Sequence, residues 1–155
     1  MRGKQAQKRK IKPDAKYSSV NIAKFINYIM KDGKKSIAGS IVYNSLDIVK
    51  EQTKKEPTEI FEKALKNVTP VLEVKTRRIG GANYQIPIQV RGDRRNTLAF
   101  RWIIQAAKSR KGMPMKDRLA KEFIDASKEE GAAVAKRQDV QRMAESNRAF
   151  AHFAR

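Results

Sequence analysis

The sequence of 155 residues contains no cysteine, a single histidine and only 16 acidic residues. The lack of cysteine excludes disulfide bonds, thiol catalysis and thiolate metal sites. His152, the one histidine, has no second nitrogen ligand with which to hold a metal ion. No run of about 18 apolar residues occurs, which excludes a transmembrane helix. The N-terminus is basic and lacks the apolar segment of a signal peptide, so we expect a cytoplasmic protein.

Positive charge is the property that the sequence has in excess. Lysine and arginine number 35, so the formal net charge is +19 and the isoelectric point is near 10.4. Such an excess favours a polyanionic partner, either a membrane surface or a nucleic acid. Membrane binding requires a basic amphipathic helix with bulky apolar residues on its other face. Here the basic residues crowd predicted turns, and the tail offers only Ile11 as an anchor, so nucleic acid is favoured.

Hydrophobic residues make up 40% of the chain, and their helical spacing predicts a domain built mainly from helices. The second predicted helix has the widest apolar face, which predicts that it is the most buried. Serine caps, glycine stops and prolines set the expected boundaries. The six predicted helices run from Ser18 or Ser19 to Gly33, from about Ser36 to Thr53, between Pro57 and Pro70, from Asp93 or Arg94 to Arg110, from Met115 to Glu130 with an end at Gly131, and from Lys136 towards the C-terminus.

Residues 75–95 read KTRRIGGANYQIPIQVRGDRR and predict a β-hairpin. Apolar and polar residues alternate in segments 72–77 and 84–90, on both sides of the GGAN turn. Pro87 cannot donate a ladder hydrogen bond, so its strand must lie at an edge. Because only two strands are predicted, the hairpin, at about 72–90, is expected to project as an arm. The predicted fold is mainly α: one domain, residues 14–155, with a six-helix body and a protruding two-stranded antiparallel β-hairpin arm, after a basic N-terminal extension, residues 1–13.

Basic residues cluster at the ends of the predicted elements, where short groups of cations can contact a bent phosphate backbone. Arginine predominates around the hairpin, and its planar fork suits bidentate phosphate contacts. Tyr84, just past the glycine turn, either stacks on an unpaired base or packs on the arm. The candidate contacts are Lys4, Lys8, Arg9 and Lys10; Lys31, Lys34 and Lys35; Lys75, Arg77 and Arg78; Arg91, Arg94 and Arg95; and Lys108, Arg110, Lys111, Met115 and Lys116, with Met115 an apolar contact to a base or sugar.

A catalytic function finds no support in the side chains available. The pairs Glu59/Glu62 and Glu129/Glu130 lie among lysines on predicted helix surfaces, and Gly80-Gly81 separates two strands instead of opening a helix as a phosphate loop does. No cofactor, metal or small-molecule substrate is therefore expected. A DNA-binding helix-turn-helix protein remains an alternative, but the separated basic clusters suit folded RNA better than one recognition helix.

Four segments resemble the bacterial family of small-subunit ribosomal protein seven. Residues 21–45, NIAKFINYIMKDGKKSIAGSIVYNS, are similar to the signature of that family. Residues 77–90, RRIGGANYQIPIQV, resemble its hairpin, and residues 94–103, RRNTLAFRWI, resemble the helix that follows. Residues 131–153 resemble its C-terminal end. The likeness covers essentially the whole chain.

The resemblance implies a structural constituent of the small ribosomal subunit that binds the 3′ major domain of 16S ribosomal RNA and nucleates assembly of the head. It implies a place at the subunit interface near the exit (E) site, with small-subunit ribosomal proteins nine and eleven as neighbours. It also implies that the hairpin and the end of the last helix approach messenger RNA and the departing transfer RNA. The residues expected there are Arg78, Gly80, Gly81, Ala82, Asn83, Tyr84, Arg142 and Arg148.

Overall fold

The computed structural model describes Gly3, Ala6 and residues 9–154. Lys4 and Lys8 of the predicted RNA-binding tail lie outside the described residues. The helices are α1 (Val20–Ile29), α2 (Lys35–Thr53), α3 (Pro57–Val68), α4 (Asp93–Ser109), α5 (Met115–Ser127) and α6 (Ala132–Ser146), followed by a 3-10 helix (Arg148–Ala154). The strands are β1 (Leu72–Ile79) and β2 (Ala82–Gln89), paired as an antiparallel hairpin. The predicted fold, mainly α with a two-stranded hairpin, is confirmed.

Phenylalanine side chains form the centre of the helical core. Phe25 of α1 lies between Phe61 of α3, Phe100 of α4 and Phe123 of α5, with ring centroids 5.5 Å apart in each pair. All four rings are almost fully buried. Burying one such side chain stabilises a fold by about 1.5–3 kcal/mol, so this cluster joins four helices that are distant in sequence.

The first helix begins where the sequence predicts and ends earlier. Ser19 is its N-cap, because the Ser19 hydroxyl accepts a hydrogen bond from the backbone N–H of Ile22. The predicted end at Gly33 is wrong: Met30 already has an extended backbone, and its side chain packs against the core. Gly33, with φ of +72°, lies in the turn that follows.

The prediction that α2 is the most buried helix is also wrong. Six of its 19 residues are buried, whereas α5 buries six of 13. Ile37, which the helical spacing also predicts to be apolar core, is 56% exposed, and Ile41 and Ile48 are half-buried. Ile41 and Ile48 therefore pack at the edge of the core, and Ile37 lies outside it.

The boundaries around α5 and α6 differ from the prediction because a buried carboxylate sets them. The fifth helix stops at Ser127 instead of Glu130, and α6 begins at Ala132 instead of Lys136. The backbone N–H of Ala133, in the first turn of α6, donates to Oε1 of Glu122 at 2.9 Å. Glu122 thus satisfies a donor that a helix start leaves free.

The hairpin has a two-residue turn at Gly80 and Gly81, whose φ angles are +57° and +89°. Two positive φ values are typical of the type I′ turn that matches the twist of a hairpin. The register pairs Lys75 with Ile86 and Val74 with Pro87, so the apolar residues of the two strands face opposite sides. One side, with Ile86 fully buried, packs on α6 and the 3-10 helix.

Among the described residues, no helix has the length and apolar character needed to cross a membrane. Within the same part of the chain, no group of three or more histidine or acidic side chains is arranged to hold a metal ion.

Candidate nucleic-acid interface

Two of the predicted basic clusters, separated by more than 70 residues in sequence, line one groove. Lys31 and Lys34 come from the turn between α1 and α2, and Lys108 comes from the end of α4. The groove has an apolar floor and a volume of about 350 Å³. We call this feature the lysine groove; its other lining residues are Ile29, Ile37, Ala38, Ile41, Ile104 and Met115.

The lysine groove combines two kinds of contact that RNA requires. Ammonium groups at its rim can neutralise phosphates, and its exposed isoleucine surface and Met115 can contact a sugar or an unstacked base. Ile37 and Ile41 of α2 therefore contribute apolar surface to this groove. Lys35 at the start of α2, Lys111 in the turn after α4 and Lys116 at the start of α5 are exposed.

A second basic depression lies between α1 and α4 and includes the end of the tail. Arg9 and Lys10 line it together with Lys24, and its volume is about 610 Å³. Tyr28 contributes a hydroxyl, which is 2.9 Å from that of Thr97, and a ring 5.5 Å from Phe100. Sequence reasoning missed Lys24 and Tyr28, although Tyr28 lies outside the apolar stripe of its helix and is 38% exposed.

Two acidic residues fix the segment from which the tail departs. Asp14 accepts hydrogen bonds from the backbone N–H groups of Lys16 and Tyr17 through Oδ2, and from the hydroxyl of Tyr43 at 2.6 Å through Oδ1. Asp47 of α2 pairs with the ammonium group of Lys16 at 2.9 Å. The hydrogen bond to Asp14, together with burial, raises the pKa of Tyr43. Residues 14–17 are thereby anchored to α2, a role that the sequence pattern did not reveal.

The base of the hairpin holds a buried carboxylate that engages two of the predicted RNA contacts. Oε2 of Glu73 accepts from Nε and Nη2 of Arg94 at 3.2 and 3.0 Å, and Oε1 is 3.1 Å from Nζ of Lys75. Burial raises the pKa of Glu73, but the hydrogen bonds from Lys75 and Arg94 outweigh it, so this pKa lies below its ordinary value. Arg94 and Lys75 keep about half of their side-chain surface exposed.

Other predicted contacts also have partners within the chain. Nε of Arg95 donates to the carbonyl of Pro70 at 3.3 Å, and Nη2 of Arg91 donates to Gln89. Arg110 pairs with the buried Glu122 and with Asp125, and only 28% of its side chain is exposed. These hydrogen bonds therefore fix the arginines in place, and at Arg110 the two carboxylates also reduce the positive charge that the side chain offers outward.

The hairpin tip and the C-terminal segment form one surface. Arg78, the two turn glycines, Ala82 and Asn83 are exposed. The ring of Tyr84 packs against Phe150 and Phe153, with centroids 5.3 and 5.7 Å away. Of the two alternatives for Tyr84, the structure thus has it packed, against the 3-10 helix. Nη1 of Arg77 donates to the carbonyl of Phe153 at 3.3 Å.

The two remaining predicted contacts lie near the end of the chain. Arg142, on α6, pairs with Asp139 one turn before it and is 75% exposed. Arg148 is exposed at the first residue of the 3-10 helix. Both are therefore available at the surface next to the hairpin.

Comparison with known proteins decides the family. A sequence model of the family described as Ribosomal protein S7p/S5e matches residues 1–148. The chain belongs to the ribosomal protein S7p/S5e family. It is 54% identical over 153 residues to the small ribosomal subunit protein uS7 of Thermotoga maritima, covering 99% of each chain. It is 55% identical over 148 residues to that of Marinobacter nauticus, covering 96% of this chain and 95% of the relative.

Membership of the S7p/S5e family confirms the resemblance found in the sequence. It identifies the chain as a structural constituent of the small ribosomal subunit, which is cytoplasmic in bacteria. The protein uS7 of Pelotomaculum thermopropionicum, 56% identical over 146 residues and 94% of each chain, agrees with this assignment. Binding to ribosomal RNA is consistent with the family, and the basic grooves described above are the surfaces of this S7p/S5e member that could carry it out.

Proposed function

We propose that this S7p/S5e protein binds the 3′ major domain of 16S ribosomal RNA and nucleates assembly of the small-subunit head. It would then lie at the subunit interface near the E site, beside small-subunit ribosomal proteins nine and eleven. There its hairpin and C-terminal segment would contact messenger RNA and departing transfer RNA. The protein would be an RNA-binding scaffold without catalytic activity.

The convergence of Lys31, Lys34 and Lys108 around one apolar groove supports RNA binding most directly. Three ammonium groups on one rim can neutralise successive phosphates of a backbone that bends across the groove. The isoleucines and Met115 below them offer a surface to sugars and unpaired bases, which folded RNA presents and duplex DNA hides. Lys24, with Arg9 and Lys10 of the tail, would extend the footprint along α1 and α4.

The geometry of the hairpin supports the proposal for messenger and transfer RNA. Its tip consists of Gly80 and Gly81, with no other atom within 4 Å of where their side chains would stand. A passing RNA strand could therefore approach the backbone closely. The exposed guanidinium groups of Arg78, Arg142 and Arg148 would supply charge around that approach.

Binding of the full chain to two RNA fragments of equal length tests the proposal. One fragment is the 3′ major domain, and the other is a control from the 5′ domain of the same 16S RNA. We expect tight binding to the first alone, with a logarithmic salt slope of about −4 to −5 if roughly six phosphates are neutralised. Equal affinity for both fragments, or for duplex DNA in competition, would contradict it.

Reconstitution of the small subunit tests the assembly step separately. Particles assembled without the chain should lack an ordered head and should recruit less of proteins nine and eleven. A head that assembles normally in its absence would contradict the proposed role in nucleation while leaving RNA binding intact.

A further inference from the structure

Two unusual features meet in one pocket between α6 and the connection from α3 to β1. Nε of Arg137 is buried and has no hydrogen-bond partner among the described residues. Val71, 59% exposed, is the most exposed large hydrophobic residue in the described part of the chain. Both line a pocket of about 240 Å³, the Arg137 pocket, whose other lining residues are Thr69, Pro70, Leu72 and Gln141.

Neither feature is explained by the fold itself. Buried polar groups in native proteins almost always have a hydrogen-bond partner. A buried donor without a partner in its own chain is therefore a candidate to bind an acceptor from another molecule. Other polar groups of the pocket are already engaged. The hydroxyl of Thr69 donates to Leu65, the carbonyl of Pro70 accepts from Arg95, and the side-chain amide of Gln141 donates to Glu145. The unmet requirement is therefore for an acceptor, placed beside aliphatic surface.

We propose that the Arg137 pocket receives an acidic side chain of a protein neighbour in the assembled small subunit. A carboxylate carried on methylene groups fits a pocket with one guanidinium donor and walls made by Val71, Pro70 and Leu72. Arginine beside apolar surface is also typical of the few residues that dominate protein–protein affinity. The proposal rests on the ribosomal role of the chain and adds a protein contact to it.

The composition of the pocket favours a protein partner over RNA. The lysine groove has three lysines on its rim, and the depression between α1 and α4 has Arg9, Lys10 and Lys24. The Arg137 pocket has one cation and no lysine. A phosphodiester carries a ribose on each side and binds best to an open surface with several donors, which this pocket does not provide.

The lack of cysteine makes a direct test possible. Val71→Cys introduces the only thiol of the chain, and a benzophenone maleimide can be attached to it before reconstitution into small subunits from purified RNA and proteins. Ile37→Cys, 56% exposed in the lysine groove, serves as the matched control for RNA contact. After irradiation, we expect the adduct at residue 71 to survive ribonuclease and the adduct at residue 37 to be destroyed by it.

A second substitution tests the guanidinium group itself. Arg137→Leu in the Val71→Cys background should lower the yield of the protein adduct about tenfold, because it removes the donor and keeps apolar bulk. Arg101→Leu, at an exposed residue of α4, should leave the yield unchanged. Mass spectrometry should find an aspartate or glutamate in the partner peptide of the adduct. Replacing that acidic residue with asparagine or glutamine should lower the adduct yield by the same factor of about ten.

Several results would overturn the proposal. These are an RNA adduct at residue 71, no adduct there while residue 37 reacts, a yield unaffected by Arg137→Leu, or a mapped segment without an acidic residue. Affinity of the free Arg137→Leu protein for the 3′ major domain RNA should stay within about twofold of the parent. Loss of RNA adducts at residue 37 as well would instead contradict the proposed RNA-binding function.

Discussion

Nη2 of Arg110 lies 2.7 Å from Oε2 of Glu122, a carboxylate with no solvent-exposed surface. The second oxygen of Glu122 accepts from the backbone N–H of Ala133. One buried side chain therefore holds the loop after α4 and the start of α6 against α5. Arg110 follows α4, whose Lys108 lines the lysine groove, so this pair fixes the packing next to that groove.

Replacing Glu122 with glutamine should destabilise the protein by about 2–4 kcal/mol, because it leaves Arg110 without its buried counter-charge while keeping side-chain volume. Urea unfolding followed by circular dichroism measures the effect. Glu62→Gln, at an exposed residue of α3, should change the free energy of unfolding by less than about 0.5 kcal/mol. Equal urea midpoints for the two variants would show that the Arg110–Glu122 pair contributes little.

Gly131→Ala should be more harmful than the same change at Gly33. Both residues have positive φ, at +92° and +72°, so either alanine should lower the free energy of unfolding by about 1–2 kcal/mol through its backbone conformation alone. At Gly131 the new Cβ would also lie 3.1 Å from Cβ of Asp125 and 3.1 Å from Oε1 of Glu122, whereas at Gly33 the space is open. A lower melting temperature for Gly131→Ala than for Gly33→Ala is expected, and the reverse order would contradict the close packing.

The low pKa of Glu73 predicts a pH-dependent contribution to stability. A carboxyl whose pKa is lower in the folded state binds fewer protons there, so folding is favoured while the group is ionised. Glu73→Gln should therefore cost about 1–3 kcal/mol at pH 7. The difference from the parent should shrink as the pH falls through about 4.5 and below. Urea midpoints of both proteins between pH 3 and pH 7 measure it, and a difference independent of pH would contradict the role of the ionised carboxylate.

The triple variant Lys31→Ala, Lys34→Ala and Lys108→Ala should bind the 3′ major domain RNA more weakly than the parent. The slope of log affinity against log salt concentration should become shallower by about 2–3, because each lysine neutralises one phosphate. The matched control is a triple alanine variant at the exposed residues Lys50, Lys63 and Lys121, which has the same net charge. If both variants bind equally well, total charge and not the lysine groove determines affinity.

Local pattern was sufficient to predict several parts of the fold. The spacing of Ile22, Phe25 and Ile26 fixes the buried face of α1, and the alternation around Gly80-Gly81 fixes the hairpin. Both signals come from residues close in sequence. The 3-10 helix could not be predicted in this way, because its aromatic residues find their partner in Tyr84, more than 60 residues earlier.

The internal pairing of Arg94 and Arg110 was harder to predict, since it depends on carboxylates whose burial follows from tertiary packing. Glu73 stands in a strand that reads as alternating, yet α4 brings Arg94 to it. Glu122 did leave a signal: it lies three residues after Leu119 and four before Ala126, on the apolar stripe of α5. An acid on such a stripe indicates a buried partner, and here that partner was one of the predicted RNA contacts.

The hairpin turn has a consequence for chemical biology. Gly80 and Gly81 have positive φ angles, and nothing lies within 4 Å of a Cβ added at either residue. The backbone conformation, and not a lack of space, therefore disfavours L-amino acids at these two positions. D-amino acids favour those angles, so D-alanine, or a D-lysine bearing a fluorophore, should be accommodated at the tip by semisynthesis. Such a reporter would lie at the tip, where contact with messenger and transfer RNA is proposed, without disturbing the ladder beneath it.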